Sequence, residues 1–312
     1  MKPFRFGVSI WHVASRADLA EKARKIEALG YDTISFPDHL NERIAPLPAL
    51  VAAAEATSRL RVGTNVLNND LRHPVLVARE AAAIDLLTDG RLQLGLGAGS
   101  IRSEYDQVGL RFDAGRARVE RLAEAVTLIK ALLRGGEVTF SGAHYQVAGH
   151  TIAPLPVQKP HPPILIGGSG PRLLALAARE ADIVGFSGIT FRDGGASPPD
   201  VSGWRAPAVD QRVRRVREAA GEERRAHLEL NVLVQRVVMT EDRYAAAEEL
   251  ARRWPALSAD EILLSPYLLV GTVEQMVEDL QMRRRRWGIS CYAIHEPYLD
   301  DFAPVVARLA GK

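Results

Sequence analysis

Short apolar runs alternate with longer amphipathic stretches from one end of the chain to the other. Phe4–Ile10, Tyr31–Phe36, Leu60–Val66, Leu92–Leu96, Ile164–Ile166, Asp182–Phe186, Leu228–Val234 and Ser290–Ile294 each read as a strand. They are largely apolar, as strands covered on both faces are. Helical spacing predicts helices over Ser15–Leu29, Pro46–Thr57, Pro74–Leu87, Ala114–Leu133, Pro171–Arg179, Glu241–Arg253 and Val273–Arg286. Gly30 suits a left-handed cap and Pro74 a first helical position. Eight strands, most followed by a helix, predict a parallel sheet with its outer face covered, and count and length favour closure into a (β/α)8 TIM barrel. A polar excursion near 137–148 predicts a small hairpin, Val138–Phe140 with His144–Val147, outside the main pattern. With no linker dividing two cores, residues 1–312 are expected to form a single domain.

One segment departs from the pattern. Ser187–Asp210 is rich in Gly, Pro and Ser and lacks periodicity. Long loops in compact domains are usually functional or disordered, and this one follows the sixth strand, so it should emerge at the barrel's C-terminal face, where active sites form.

Composition narrows the function by exclusion. Forty basic residues against thirty-eight acidic leave a formal charge of +2, too balanced for a chain whose main partner is nucleic acid or an anionic membrane. The basic runs Arg283–Arg286 and Arg212–Arg217 read as a helix C-terminus and a solvated face. No apolar run approaches the roughly 18 residues that span a bilayer. The N-terminus enters a strand without a signal-peptide core, so the expected location is the cytoplasm. Cys291 is the only cysteine, and no pair of ligands stands at metal spacing, so neither a disulfide framework nor a metal site is expected.

The chemistry-bearing positions gather at predicted strand ends. Gly167-Gly168-Ser169-Gly170 follows a strand and opens a helix, which aims several backbone N–H groups and the helix's positive end at one point. That is a phosphate or carboxylate site, or else a tight turn that needs glycine. Ser187-Gly188, after the next strand, would supply a second wall. Gly95-Leu96-Gly97-Ala98-Gly99 lies in the wrong unit, with the wrong spacing, for a dinucleotide fingerprint; it reads as a strand end approached closely by something else. His39 ends the second strand beside Asp38, a carboxylate placed to stabilise an imidazolium, and is the candidate proton-transfer group. His12, after strand one, and His295, after strand eight, share that kind of address; with Trp11 they are candidates for the substrate side.

Taken in order, these motifs resemble a known family. Gly30-Tyr31-Asp32 leading to Pro37-Asp38-His39, Leu60–Val66 followed by Arg72-His73-Pro74, Thr88-Asp89-Gly90-Arg91 with Gly95-x-Gly97-x-Gly99 and Glu104-Tyr105, and Gly167-Gly168-Ser169-Gly170 followed by Ala181-Asp182 resemble the luciferase-like monooxygenases over residues 1–190. Val270-Gly271-Thr272 extends the match more loosely. The family uses reduced FMN or coenzyme F420, and the sequence looks more similar to the F420 branch. The resemblance implies hydride transfer between F420 and a small organic substrate, with His39 facing the ring. Asp38, Asn65, Val66, Asn68, Ala98 and Gly99 would line the cofactor, Ser103 would lie near its tail, and Gly167, Gly168, Ser169, Gly170, Ser187 and Gly188 would take the phosphate. It also implies a cis peptide at Asn65–Val66, and a homodimer is the expected assembly. An FMNH2-dependent monooxygenase and a non-catalytic flavin- or deazaflavin-binding barrel are the alternatives. Sugar-phosphate dehydrogenases of the branch carry a catalytic glutamate and a tryptophan where this chain has Ser100 and Arg43; Glu104 resembles a structural glutamate.

Overall fold

The computed structural model describes residues 1–41 and 44–312, with residues 192 and 193 described through their backbone only. The strands in chain order are β1 (Arg5–Ser9), β2 (Thr33–Phe36), β3 (Arg61–Thr64), β4 (Leu67–Asn68), β5 (Leu92–Gly97), β6 (Val138–Ser141), β7 (Gln146–His150), β8 (Ile164–Gly168), β9 (Ile183–Phe186), β10 (Glu229–Leu233), β11 (Arg236–Met239), β12 (Leu268–Gly271) and β13 (Ile289–His295). The α-helices are α1 (Arg16–Ala28), α2 (Pro46–Glu55), α3 (Pro74–Leu87), α4 (Arg102–Gln107), α5 (Gly115–Arg134), α6 (Pro171–Glu180), α7 (Ala206–His227), α8 (Arg243–Arg253), α9 (Ala259–Leu264), α10 (Val273–Trp287) and α11 (Leu299–Leu309).

Strands β1, β2, β3, β5, β8, β9, β10 and β13 pair in parallel in that order, and β13 returns to β1, closing the barrel. All eight are the strands expected from the sequence, within a few residues at their ends. The β6–β7 hairpin stands outside the barrel as an antiparallel pair. Outside the barrel wall, Phe6 meets Phe302 of α11 edge-on at 5.5 Å and stacks on Tyr292, an aromatic layer between sheet and helix. Inside the barrel, toward its N-terminal end, Arg5 reaches Asp32 at 2.6 Å, Glu229 at 2.6 Å and Gln93 at 3.2 Å. Each buried charge there has a partner, which burial of ions requires.

Helix boundaries follow local chemistry. Ser15 accepts the N–H of Asp18 at 3.1 Å to start α1, and Thr272 and Gln275 form a reciprocal capping box that starts α10. Gly288, at φ 78°, ends α10 in the left-handed conformation.

Several elements went unread in the sequence. The aperiodic loop ends earlier than expected: α7 begins at Ala206, with Pro207 in its first turn, and runs through the arginine-rich stretch. The segment before it carries two short 3-10 turns, Arg192–Gly195 and Ser202–Trp204, and is pinned by Trp204, which is buried against Trp254 and Tyr267. β11 and β12 form a separate parallel pair, and α4, α9 and α11 complete the helical layer. Among the described residues, no helix is long and apolar enough to cross a membrane.

Candidate active site

A cavity of about 950 Å³ opens at the C-terminal ends of the strands. That size suits a bound cofactor. Its inner wall is unusually bare: Gly97, Ala98, Gly99, Gly167, Gly168 and Gly185 all line it. The bareness has a packing cause. A Cβ on Gly95 would lie 1.9 Å from the Thr64 carbonyl oxygen, and one on Gly97 would lie 2.5 Å from Val66 Cγ2. The first glycine cluster therefore admits β3 and, just beyond it, the side chain of Val66, at the cis Asn65–Val66 peptide. Asn65, Val66 and Asn68 all line the cavity.

The loop carrying these residues is clamped from behind. Asp38 binds Arg72 through both carboxylate oxygens, at 2.5 and 3.1 Å, and accepts the backbone N–H of Asn68 at 3.0 Å. Asn68 Oδ1 accepts the N–H of Asp70, and the Tyr105 hydroxyl lies 3.1 Å from it. Burial pushes the Tyr105 phenol up, so it stays protonated as a donor. A Cβ on Gly99 would strike that hydroxyl, which explains the third glycine of the run.

His39 lines the cavity just past β2, and its partner is not the expected one. With its carboxylate committed to Arg72 and Asn68, Asp38 is a loop clamp, although it still borders the cavity. Glu104, buried on α4, instead places Oε1 2.7 Å from His39 Nδ1. As a carboxylate, Glu104 accepts a hydrogen bond from His39 Nδ1–H, which leaves Nε2 as the ring nitrogen for chemistry. Glu104 is thus both the α4 residue the resemblance described as structural and the orienting partner of the histidine.

After β8, Gly168, Ser169 and Gly170 lead into α6, and no side chain caps its first turn. Those N–H groups remain for a ligand. The Ser169 hydroxyl donates to the Ile189 carbonyl at 2.8 Å, fastening the next loop over the turn, and Ser187 also lines the cavity. Gly188 lies outside the lining: its bare Cα admits Tyr267 and Trp204, and its φ of 64° favours glycine.

The remaining expectations separate. Ser103 is exposed and off the cavity wall, between Arg102 and Glu104, which are on it. Trp11, His12 and His295 also lie off the wall; Trp11 and His295 meet edge-on at 4.8 Å, and the His12 carbonyl accepts Lys22 Nζ. Ser100 lines the cavity, whereas Arg43 falls outside the described residues. The sequence reading missed Phe112, Arg102, Arg116, Arg118 and Arg172, and Asn231 and Leu233 of β10, all of which line the cavity. The arginine alternation at the start of α5 was a visible signal. Among the described residues, no cluster of side chains could hold a metal ion.

Comparison with known proteins agrees with this geometry. The model of the luciferase-like monooxygenase family matches residues 3–262. An F420-dependent glucose-6-phosphate dehydrogenase of Nakamurella multipartita is 34% identical over 266 residues, covering 82% of this chain and 74% of that one. Another from Microbacterium testaceum is 38% identical over 164 residues, but there the match spans only 50% of this chain and 48%, about half, of the relative. In three dimensions, the coenzyme F420-dependent tetrahydromethanopterin reductase of Methanopyrus kandleri superposes with a TM-score of 0.75 at 17% identity, covering 99% and 98% of the two chains. By motif order, barrel and family match together, this chain belongs to the luciferase-like monooxygenase family.

Proposed function

We propose that the protein is an oxidoreductase that transfers a hydride between coenzyme F420 and a small organic substrate. The observation that carries this reading is one cavity lined both by an uncapped glycine turn, after β8, and by the His39–Glu104 pair, after β2. The wall from Gly97 to Gly99 and at Gly167 and Gly168 presents backbone to the cavity, and a planar ring system can lie against it. The relatives named for F420 supply the choice of cofactor.

Bound there, the deazaflavin supplies a ring carbon that accepts or releases hydride and reacts poorly with oxygen. The chain's own residues do the rest. The backbone of Gly168–Gly170 would hold the phosphate, with Ser187 also on the cavity wall. Val66, Ala98 and Gly99 would bear on the ring, and Asp38 and Arg72 keep that loop in place. His39 Nε2 takes the hydroxyl proton when an alcohol is oxidised, or returns it when a carbonyl is reduced, while Glu104 holds the ring and balances the imidazolium charge. Ser100 offers a hydroxyl in place of a carboxylate, so the proposed substrate is not glucose 6-phosphate. The family's own name keeps a second reading in view, oxygenation through reduced FMN, which would use the same phosphate turn.

The test is equilibrium binding of F420 and of FMN to the same preparation. The reading expects F420 to bind at least tenfold more tightly; tight binding to FMN alone would replace it with the monooxygenase.

A further inference from the structure

Among the described residues that line the cavity from within β8, β9 and β10, Asn231 alone carries a polar side chain; the others are Gly167, Gly168, Gly185, Phe186 and Leu233. Asn231 stands in register with Gly185, and Gly185 with Gly167, so the two neighbouring strand positions beside it are bare. A Cβ on Gly185 would lie 3.3 Å from Gly167 Cα, which keeps that side of the amide clear.

The amide is held from one side only. Asn231 is 5% exposed, and its Nδ2 donates to Cys291 Sγ at 3.1 Å. An irregularity in the β10–β13 pairing makes this contact: Leu230 stands opposite Ile289 but Asn231 opposite Cys291, so Ser290 is passed over. In an unbroken register Asn231 would meet Ser290, and the thiol would fall on the other face of the sheet. Bulges re-aim side chains in this way and are frequent beside active sites. Burial pushes the Cys291 thiol up to about 12, so it stays neutral.

One N–H and Oδ1 of the amide remain, with no hydrogen bond to them among the described residues. Nearby polar side chains are spent otherwise. Glu229, two residues earlier on β10, gives its carboxylate to Arg5 at 2.6 Å, and Asn68 Oδ1 accepts the Asp70 N–H and the Tyr105 hydroxyl. A buried amide with an unmet donor and acceptor is costly, and one that borders a cavity meets them in what the cavity binds.

We propose that Asn231, oriented by Cys291, recognises the imide edge of the deazaflavin ring, Oδ1 accepting the imide N–H and the free amide N–H donating to the adjacent ring carbonyl. The inference rests on the F420 reading above. The imide presents a donor and an acceptor side by side, which a carboxamide matches group for group. The benzenoid edge offers a single hydroxyl in F420 and two methyl groups in FMN, and would leave part of the amide unmet. Cys291 is off the cavity wall and is a positioning residue: it acts through the amide and touches no ligand.

The experiment titrates the full-length protein with the 5′-phosphate of the F420 chromophore and with the same compound methylated on its imide nitrogen, and does the same with FMN and 3-methyl-FMN. Ring fluorescence is the readout. In the wild type, methylation should weaken binding of the chromophore phosphate about tenfold or more, because one hydrogen bond is lost and a methyl group meets Oδ1. N231L, close in shape but without the amide, should bind the parent about tenfold more weakly and treat the two forms alike. C291A should narrow the ratio, and C291S, which keeps a hydrogen-bonding group, should restore it. Equal affinity for the two forms in the wild type, which needs no variant to fold, overturns imide recognition and leaves the cofactor reading standing. So does a ratio unchanged in folded N231L. Tight binding of FMN with no binding of the F420 chromophore overturns the cofactor reading, and the FMN pair then decides imide recognition by the same ratio.

Discussion

His39 is where the proposed chemistry is most exposed to test. Its Nδ1 is committed to Glu104 at 2.7 Å, so the proton-handling atom is Nε2. H39A should lower kcat by roughly 10²–10⁴, the range of a positioned acid or base, with cofactor Kd changed less than threefold. A variant with wild-type kcat would remove the histidine from the reaction. In E104Q the hydrogen bond survives without the charge, and the glutamine amide no longer dictates which ring nitrogen carries the proton. That variant should lose about ten- to a hundredfold in kcat at constant cofactor affinity; a loss confined to affinity would make Glu104 merely structural. His39 itself was legible, because a histidine just past an apolar strand falls on a barrel's catalytic rim. Its partner was not. Asp38 is adjacent in the chain, but its carboxylate turns back to Arg72, while Glu104 arrives from 65 residues away. Sequence adjacency does not determine which carboxylate faces a side chain.

Among the elements, the turn into α6 and the clamp behind β3 both shape the cavity wall. Gly168 is a poor place to probe the turn, since a Cβ there would lie 2.0 Å from Leu173 Cδ2. Gly170 has open space where its Cβ would be, and it is the N-cap residue of α6. G170D should therefore fold as well as the wild type, because aspartate is a favoured N-cap. Its carboxylate would occupy the phosphate position and weaken cofactor binding more than tenfold, at least about 1.4 kcal/mol. Undiminished affinity would move the phosphate elsewhere. At the clamp, D38A leaves Arg72 and the Asn68 N–H without their acceptor, a loss of about 3 kcal/mol that denaturant unfolding would register. Cofactor binding should fall with it, since Val66 and Asn68 lose their support. Strands and their helices were readable from periodicity because burial on both faces writes a continuous apolar run. The start of α7 was hidden by the Gly-, Pro- and Ser-rich stretch before it, and that α5's arginines reach the cavity depends on how the helix packs in the closed fold.

For the molecule as a whole, the charged layer inside the barrel makes stability respond to acid. Burial alone would raise the Asp32 carboxyl, but the charge and hydrogen bonds of Arg5 outweigh it and hold the folded group below its usual value. A carboxylate with a depressed folded value contributes fully above its unfolded pKa, about 4, and loses that contribution as pH falls through the folded value. The Tm gap between wild type and D32N should thus be largest near neutrality and close below about pH 4. A gap independent of pH would mean that the Arg5–Asp32 pair contributes nothing through its charge. Charge balance, strand count and the order of motifs had pointed to a barrel enzyme with a small-molecule partner before any coordinates. Cofactor and reaction depend on how residues from six or more strand ends meet, which only the closed barrel supplies. The most direct test of hydride transfer is therefore turnover of reduced F420 with a panel of small carbonyl compounds under strict exclusion of oxygen, followed by the return of oxidised deazaflavin. The account predicts turnover without oxygen that is lost in H39A. No anaerobic turnover, together with an oxygenated product from FMNH2 and O2, would contradict it.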